Sequence, residues 1–208
     1  MSEILPVSEY FHSWQGEGFH TGKSAFFIRT YGCPVKCSWC DSPETWHPDH
    51  IPDKVDKKNI SFLVKEAVSS KCEFCVITGG EPAIHDLTSL VDSLRKENIA
   101  SHIETCGAYP IKGNVDWITL SPKWNALPTE DNLFKANEIK LIVEDEKSIQ
   151  KWITQLGQKS LENKVVFLNP EWSMRNEPTV LNSISNFVQE NGHPYRVGFQ
   201  LHKQFNVR

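Results

Sequence analysis

Apolar positions along the chain follow two spacings. Runs of four to eight rich in β-branched and aromatic side chains read as strands. Stretches with apolar residues every three or four positions read as helices. Residues 24–31 (SAFFIRTY) predict a first strand. Residues 59–71 place Ile60, Leu63, Val64, Ala67 and Val68 at helical spacing, and 74–78 (FCVIT) predict the next strand, which ends in GGEP. Asp86 suits the cap of a helix carrying Leu87, Leu90, Val91 and Leu94, with a strand over 100–105 after it. Further strands are predicted over 115–120, 138–143 and 165–169, and a last one over 195–202. Ile149, Trp152, Ile153 and Leu156 mark one more helix, and Val180, Leu181, Ile184, Phe187 and Val188 the final one.

Strand–helix alternation implies βαβ units and a mostly parallel sheet. Six or seven strands fit the pattern, whereas a closed eight-unit barrel usually takes about 250 residues. The expectation is an α/β fold, an incomplete (β/α) TIM-like barrel of about six to seven parallel strands. No linker, repeat or low-complexity tract interrupts residues 1–208, so one domain is expected. Chemically distinctive residues fall just after predicted strands: Cys33, then Gly79–Glu81, then residues 104–107, then residues 121–123. Parallel α/β folds build sites at the carboxyl ends of their strands, so these four loops point to one site.

Composition narrows the function classes. The 208 residues carry 22 Lys and Arg against 26 Asp and Glu, a net charge of −4, with 39% hydrophobic residues. Such proportions exclude a disordered chain. The mild acidity argues against a protein that coats nucleic acid or an anionic membrane. No run approaches the roughly 18 apolar residues of a membrane span. The opening MSEILPVSEYF lacks the basic and apolar regions of a secretory signal. A cytoplasmic protein is therefore expected, with neither nucleic acid nor membrane as partner.

Six cysteines, at 33, 37, 40, 72, 75 and 106, change the picture most. In a reducing cytosol they are expected to be free thiols. Three crowd into Cys33-Pro-Val-Lys-Cys37-Ser-Trp-Cys40, a spacing that lets one loop wrap a metal centre. By spacing alone, zinc and an iron–sulfur cluster fit equally; His47, or Cys72 and Cys75, would be zinc's further ligands. Cys75 lies inside an apolar strand and reads more simply as a small core residue. Trp14-Gln15-Gly16-Glu17-Gly18 reads as a glycine turn that also offers an amide and a carboxylate to a flat heterocycle. Arg29, four residues before Cys33, can grip a carboxylate bidentately if it points to the strand mouth.

The cysteine loop resembles the CxxxCxxC signature of radical S-adenosylmethionine (SAM) enzymes, and Thr78-Gly79-Gly80-Glu81-Pro82 resembles their GGEP motif. With WQGEG, ETCG, SPK, EIKLIV and QLHK, the set from Trp14 to Lys203 resembles the 7-carboxy-7-deazaguanine synthases. That resemblance implies a carbon–nitrogen lyase. It would contract 6-carboxy-5,6,7,8-tetrahydropterin to 7-carboxy-7-deazaguanine and release ammonia, on the way to queuosine. It implies a [4Fe–4S] cluster on Cys33, Cys37 and Cys40, with SAM on the fourth iron, and Mg²⁺ at Ser42. Around SAM it would place Trp39, Asp41, Gly80, Glu81, Glu104 with Thr105, Ser121, Pro122 and Lys123. Glu81 would accept from the SAM ammonium. Substrate would lie among Trp14, Gln15, Gly16, Glu17, Arg29, Thr78, Gln200 and His202, the last two from a strand end closing the pocket. A homodimer and an electron donor such as flavodoxin or ferredoxin are implied as partners. This chain has Ser42 where some members carry Thr, Cys106 where Asn or Ser is common, and Arg208 where some place a C-terminal Pro near substrate. Two other readings share part of the pattern: an activase that makes a glycyl radical on a partner protein, and a non-catalytic zinc module.

Overall fold

The computed structural model describes residues 3–207, so Arg208 lies outside the described residues. In chain order the strands and α-helices are β1 (Ile4–Trp14), β2 (Ser24–Thr30), β3 (Lys57–Asn59), α1 (Ile60–Ser70), β4 (Phe74–Gly79), α2 (Thr88–Lys96), β5 (Ala100–Thr105) and β6 (Trp117–Leu120), followed by α3 (Glu130–Lys135), β7 (Glu138–Val143), α4 (Ser148–Leu156), α5 (Gln158–Leu161), β8 (Val165–Pro170), α6 (Pro178–Asn191), β9 (Tyr195–Val197) and α7 (Leu201–Gln204). The strands form one open sheet in the order β3-β1-β2-β4-β5-β6-β7-β8-β9. From β2 to β9 every neighbour pairs in parallel, which makes seven parallel strands. β9 is not paired back to β3, so the barrel is incomplete, as expected.

Side-chain alternation sorts the strands into two faces. Phe26 and Ile28 of β2, Cys75 and Ile77 of β4, Ile103 of β5, Ile139 and Leu141 of β7, and Val166 and Leu168 of β8 meet Leu63 of α1, Leu90 and Leu94 of α2, Trp152 of α4 and Ile184 of α6 in the main core. The opposite parity faces the barrel interior. Its floor is aromatic: Phe74, His102 and Trp117 stack with Phe19 and His20. Towards the carboxyl ends the same face turns polar, carrying Arg29, Thr78, Glu104, Ser121 and Lys140.

Three of the differences from the sequence expectation bear on the sheet and its mouth. β1 precedes the first predicted strand and pairs antiparallel with β2; a register shift between Val7 and Glu9 breaks its alternation, which hides it from a period-two search. β3 is a short Lys-Lys-Asn edge with no apolar pattern. The last strand stops at Val197, so Gln200 and His202 stand at the start of α7 and not on a strand end. A hydrogen bond from Leu201 N to Gly16 O, at 3.0 Å, pulls that turn back onto the β1–β2 loop. Among the described residues, no helix is long and apolar enough to cross a membrane.

Candidate active site

The polar mouth of the half-barrel opens into a cavity of about 1010 Å³. The cysteine loop after β2 forms one wall: Cys33, Cys37, Trp39, Cys40, Asp41 and Ser42 all line it. Local chemistry fixes this loop. Lys36 takes the left-handed conformation (φ 53°) that reverses the chain between the first two cysteines. Asn125 Nδ2 donates to Val35 O at 2.8 Å, and Gly32 N to Thr45 O at 2.8 Å. Cys40 Sγ accepts from Ser42 N at 3.4 Å and from the Trp46 indole at 3.3 Å. Two N–H donors on one sulfur are what a metal-bound thiolate uses and a neutral thiol scarcely needs.

His47 does not line the cavity; it meets Trp46 edge-on and its Nδ1 accepts from Asp49 N. Cys72 lies against the core near Ala67, and Cys75 is fully buried in β4. So the candidates for zinc's further ligands sit elsewhere, and the loop brings three cysteines to the cavity; Cys106 also lines it, but burial and the neighbouring Glu81 keep its thiol protonated. The three loop cysteines are the donor set a [4Fe–4S] cluster with one iron left to a small-molecule ligand requires. Among the described residues, no three His, Cys, Asp or Glu side chains are gathered into a metal cage.

The GGEP turn after β4 packs against the base of the cysteine loop. A Cβ on Gly79 would come 2.2 Å from Thr30 N, and one on Gly80 2.1 Å from Gly32 O. Both glycines are therefore needed for strand β4 to lie this close to β2 and Cys33. Glu81 is 2% exposed, and both its oxygens already have partners. Oε1 accepts from Ala83 N (3.0 Å) and Thr105 Oγ1 (2.5 Å), and Oε2 from Cys106 N (2.8 Å). The carboxylate thus ties GGEP to ETCG; most of its acceptor capacity is spent inside the protein, more than a role centred on the SAM ammonium anticipates. Cys106 contributes its backbone here, while burial and Glu81 push its thiol well up.

Ser121 and Lys123 line the cavity, whereas Pro122 between them is buried away from it. Lys123 Nζ donates to Ser121 Oγ and O, both at 2.7 Å, and lies 5.4 Å from the Trp39 ring. Burial pulls its pKa down. Asp41 is bound by Lys203 at 2.8 Å; burial opposes its charge, but Lys203 wins and holds the carboxyl at about 2.

The WQGEG loop forms the facing wall. Gln15 Nε2 donates to Glu104 Oε1 at 2.9 Å. Gly16 allows His202 to close in: a Cβ there would lie 2.3 Å from His202 Nδ1. Glu17 takes Lys140 at 2.9 Å, Gln200 at 2.9 Å and Asn169 at 3.3 Å. Trp14 meets Phe205 edge-on at the rim. Arg29 points into the cavity, its Nε bound to Glu9 Oε1 (2.8 Å) and its NH1 donating to Ser42 Oγ (2.9 Å). Thr78 lines the floor beside it.

The structure thus gathers every residue the family resemblance implied, except Pro122, around one cavity, and leaves His47, Cys72 and Cys75 outside it. It also groups Glu104 with Gln15 and Lys140, on the side of the WQGEG loop. Sequence reasoning placed Lys203 only within the segment that closes the pocket and passed over Glu9, Lys140 and the Glu171–Arg175 turn, where Arg175 and Lys203 both lie over the Trp172 ring. The signal for Lys140 was present: a lysine on the interior parity of EIKLIV.

Comparison with known proteins agrees with this geometry. The radical SAM superfamily model matches residues 27–123, the span from β2 through Lys123. The 7-carboxy-7-deazaguanine synthase of Synechocystis is 40% identical over all of this chain and 98% of its own length. Those of Flavobacterium psychrophilum (99% of this chain, 93% of its own) and Escherichia coli K12 (97% and 98%) are 40% and 33% identical. The crystal structure of QueE from Escherichia coli superposes with a TM-score of 0.81 at 31% identity, over 96% of this chain and 95% of that one. With three cysteines, the paired glycines and the WQGEG loop meeting in one cavity, and with full-length relatives on both measures, the chain belongs to the 7-carboxy-7-deazaguanine synthase family of the radical SAM superfamily.

Proposed function

We propose that the chain acts as a single radical SAM domain, a carbon–nitrogen lyase that converts 6-carboxy-5,6,7,8-tetrahydropterin to 7-carboxy-7-deazaguanine with release of ammonia. The observation that carries this reading is that the cysteine loop and the WQGEG loop line one cavity, with Arg29 held there between Glu9 and Ser42. When bound, the cluster and SAM would supply radical hydrogen-abstraction chemistry at the substrate. Cys33, Cys37 and Cys40 would hold the cluster, and Trp39, Gly80 and the Ser121–Lys123 pair would flank SAM.

The chain's own residues bind and orient. Gln15, Glu17 and Glu104 present amide and carboxylate groups to the donors and acceptors of a pterin edge. The Arg29 guanidinium is held by Glu9 and Ser42 on two of its nitrogens, which leaves NH2 for a substrate carboxylate. Magnesium would sit at Ser42, the hydroxyl on the same rim. Mg²⁺ keeps several waters and takes only one or two protein oxygens, so one hydroxyl would be enough to hold it. A homodimer, a flavodoxin or ferredoxin as reductant and a cytoplasmic location complete the proposal.

Anaerobic reconstitution with iron and sulfide, then incubation with SAM, reductant and the carboxypterin, tests it. A deazaguanine chromophore is expected. A glycyl-radical activase would form none, and a zinc module would bind about one zinc and stay colourless.

A further inference from the structure

Lys140 stands in β7 between Ile139 and Leu141, both fully buried on the helix-facing side, while its own side chain enters the cavity and is only 12% exposed. An ammonium in that position is costly unless charged partners meet it. Two do. Its Nζ lies 2.9 Å from Glu17 Oε2 and 3.8 Å from Glu104 Oε2. These carboxylates come from different parts of the fold, the β1–β2 loop and β5. Each is also held at its other oxygen, Glu17 by Gln200 and Glu104 by Gln15, while Asn169 donates to the Glu17 Oε2 that Lys140 binds. One cation on β7 therefore joins the WQGEG loop, β5, β8 and the turn before α7.

We infer that Lys140 is a positioning residue for substrate, holding Glu17 and Glu104 in a fixed arrangement on the pterin side of the cavity. The inference rests on the proposed function and adds a residue to it. Other charges face this group from the packed elements: Asp41 from the cysteine loop, Arg29 from β2, Lys123 after β6, Glu138 on β7 itself, and His202 and Lys203 from α7, the last bound to Asp41. None replaces Lys140. Lys123 donates to Ser121, Arg29 to Glu9 and Ser42, and burial keeps His202 towards its neutral form. Burial works against the Glu17 charge, and Lys140 outweighs it, keeping that carboxyl below its ordinary range. In return, burial opposes the Lys140 charge, and Glu17 with Glu104 outweighs it and raises its pKa.

The test uses the anaerobically reconstituted enzyme and compares wild type, Lys140→Met and Lys140→Arg, with the cluster's visible absorbance confirming each fold. Steady-state rates are read from mildly acidic to alkaline pH, alongside calorimetric binding of the carboxypterin without reductant. In Lys140→Met, KM and the dissociation constant near neutral pH are expected to rise about tenfold, roughly 1.4 kcal/mol, with kcat changing less. Its acid limb of kcat/KM is expected to move to higher pH, because Glu17 loses the charge that kept it ionised. Lys140→Arg should return that limb towards the wild-type position. A Lys140→Met profile that superimposes on wild type, or that loses kcat equally at all pH with binding intact, overturns the inference.

Wild-type enzyme that cleaves SAM but leaves the pterin unchanged would instead overturn the proposed function. Lys140 is then decided by thermal midpoints alone. Removing it leaves burial to raise the Glu17 pKa, so the Lys140→Met midpoint should fall relative to wild type as pH rises above the ordinary carboxylate range. A constant difference between the two would overturn the pairing role as well.

Discussion

At the scale of single residues, the site is a set of groups already bonded to one another. Arg29 is pinned through Nε and NH1, so its remaining nitrogen has a defined direction. Lysine at this position would keep the charge and lose the fork. Arg29→Lys is therefore expected to raise KM for the carboxypterin by about tenfold or more with a smaller change in kcat, measured under saturating SAM. Unchanged kinetics would remove Arg29 from the carboxylate site. Ser42→Ala separates magnesium from cluster effects. The variant should lose its response to added Mg²⁺ while retaining the cluster's visible absorbance, since Ser42 bonds Cys40 through its backbone N, which alanine preserves. Most of these residues were legible in the sequence because the chemistry sits in short local strings. Glu81 was legible as a site residue, but its bonds to Thr105 and Cys106, 24 and 25 positions away, were not.

At the scale of elements, the site depends on how closely three segments approach. β4 can bring GGEP under the cysteine loop only because Gly79 and Gly80 have no Cβ to strike the Thr30 and Gly32 backbone. In Gly80→Ala, backbone must shift, since the obstacle at 2.1 Å is a carbonyl oxygen and not a flexible side-chain end. The expected result is iron and sulfide incorporation well below wild type, measured by iron content after reconstitution. Full loading would show that the loop does not need this close packing. Elements with clean periodicity were readable in advance: β5 and β7 run over the residues their patterns indicate. β1 was not, because its bulge moves side chains from one face to the other, so Leu5 and Val7 enter the core while Glu9 and Phe11 face the cavity. α3 escaped because its sequence, EDNLFK, is held by a Thr129 cap and Asn132 hydrogen bonds more than by apolar burial. The turn from Val197 into α7 escaped because its conformation is set by Gly16 O, a partner nearly the whole chain away.

At the scale of the molecule, the half-barrel separates a reactive mouth from a sealed floor. Burial between Phe74 and His20 lowers the pKa of His102 from 6.5 to about 3, so the folded state keeps it neutral. The unfolded chain takes up a proton near 6.5, so this group's contribution is complete above that pH and is lost as pH falls from there towards 3. The loss is up to about 1.4 kcal/mol per pH unit in that window. His102→Phe, which keeps the aromatic stack, should flatten the decline in thermal midpoint between neutral and mildly acidic pH; an unchanged decline would place its origin elsewhere. Above that floor, the mouth joins a three-cysteine wall to a wall suited to a flat carboxylated heterocycle. The most direct test of that pairing is the product balance of the anaerobically reconstituted enzyme given SAM, reductant and 6-carboxy-5,6,7,8-tetrahydropterin. The account predicts 7-carboxy-7-deazaguanine and ammonia in equal amounts. Cleavage of SAM with no deazaguanine formed would contradict it.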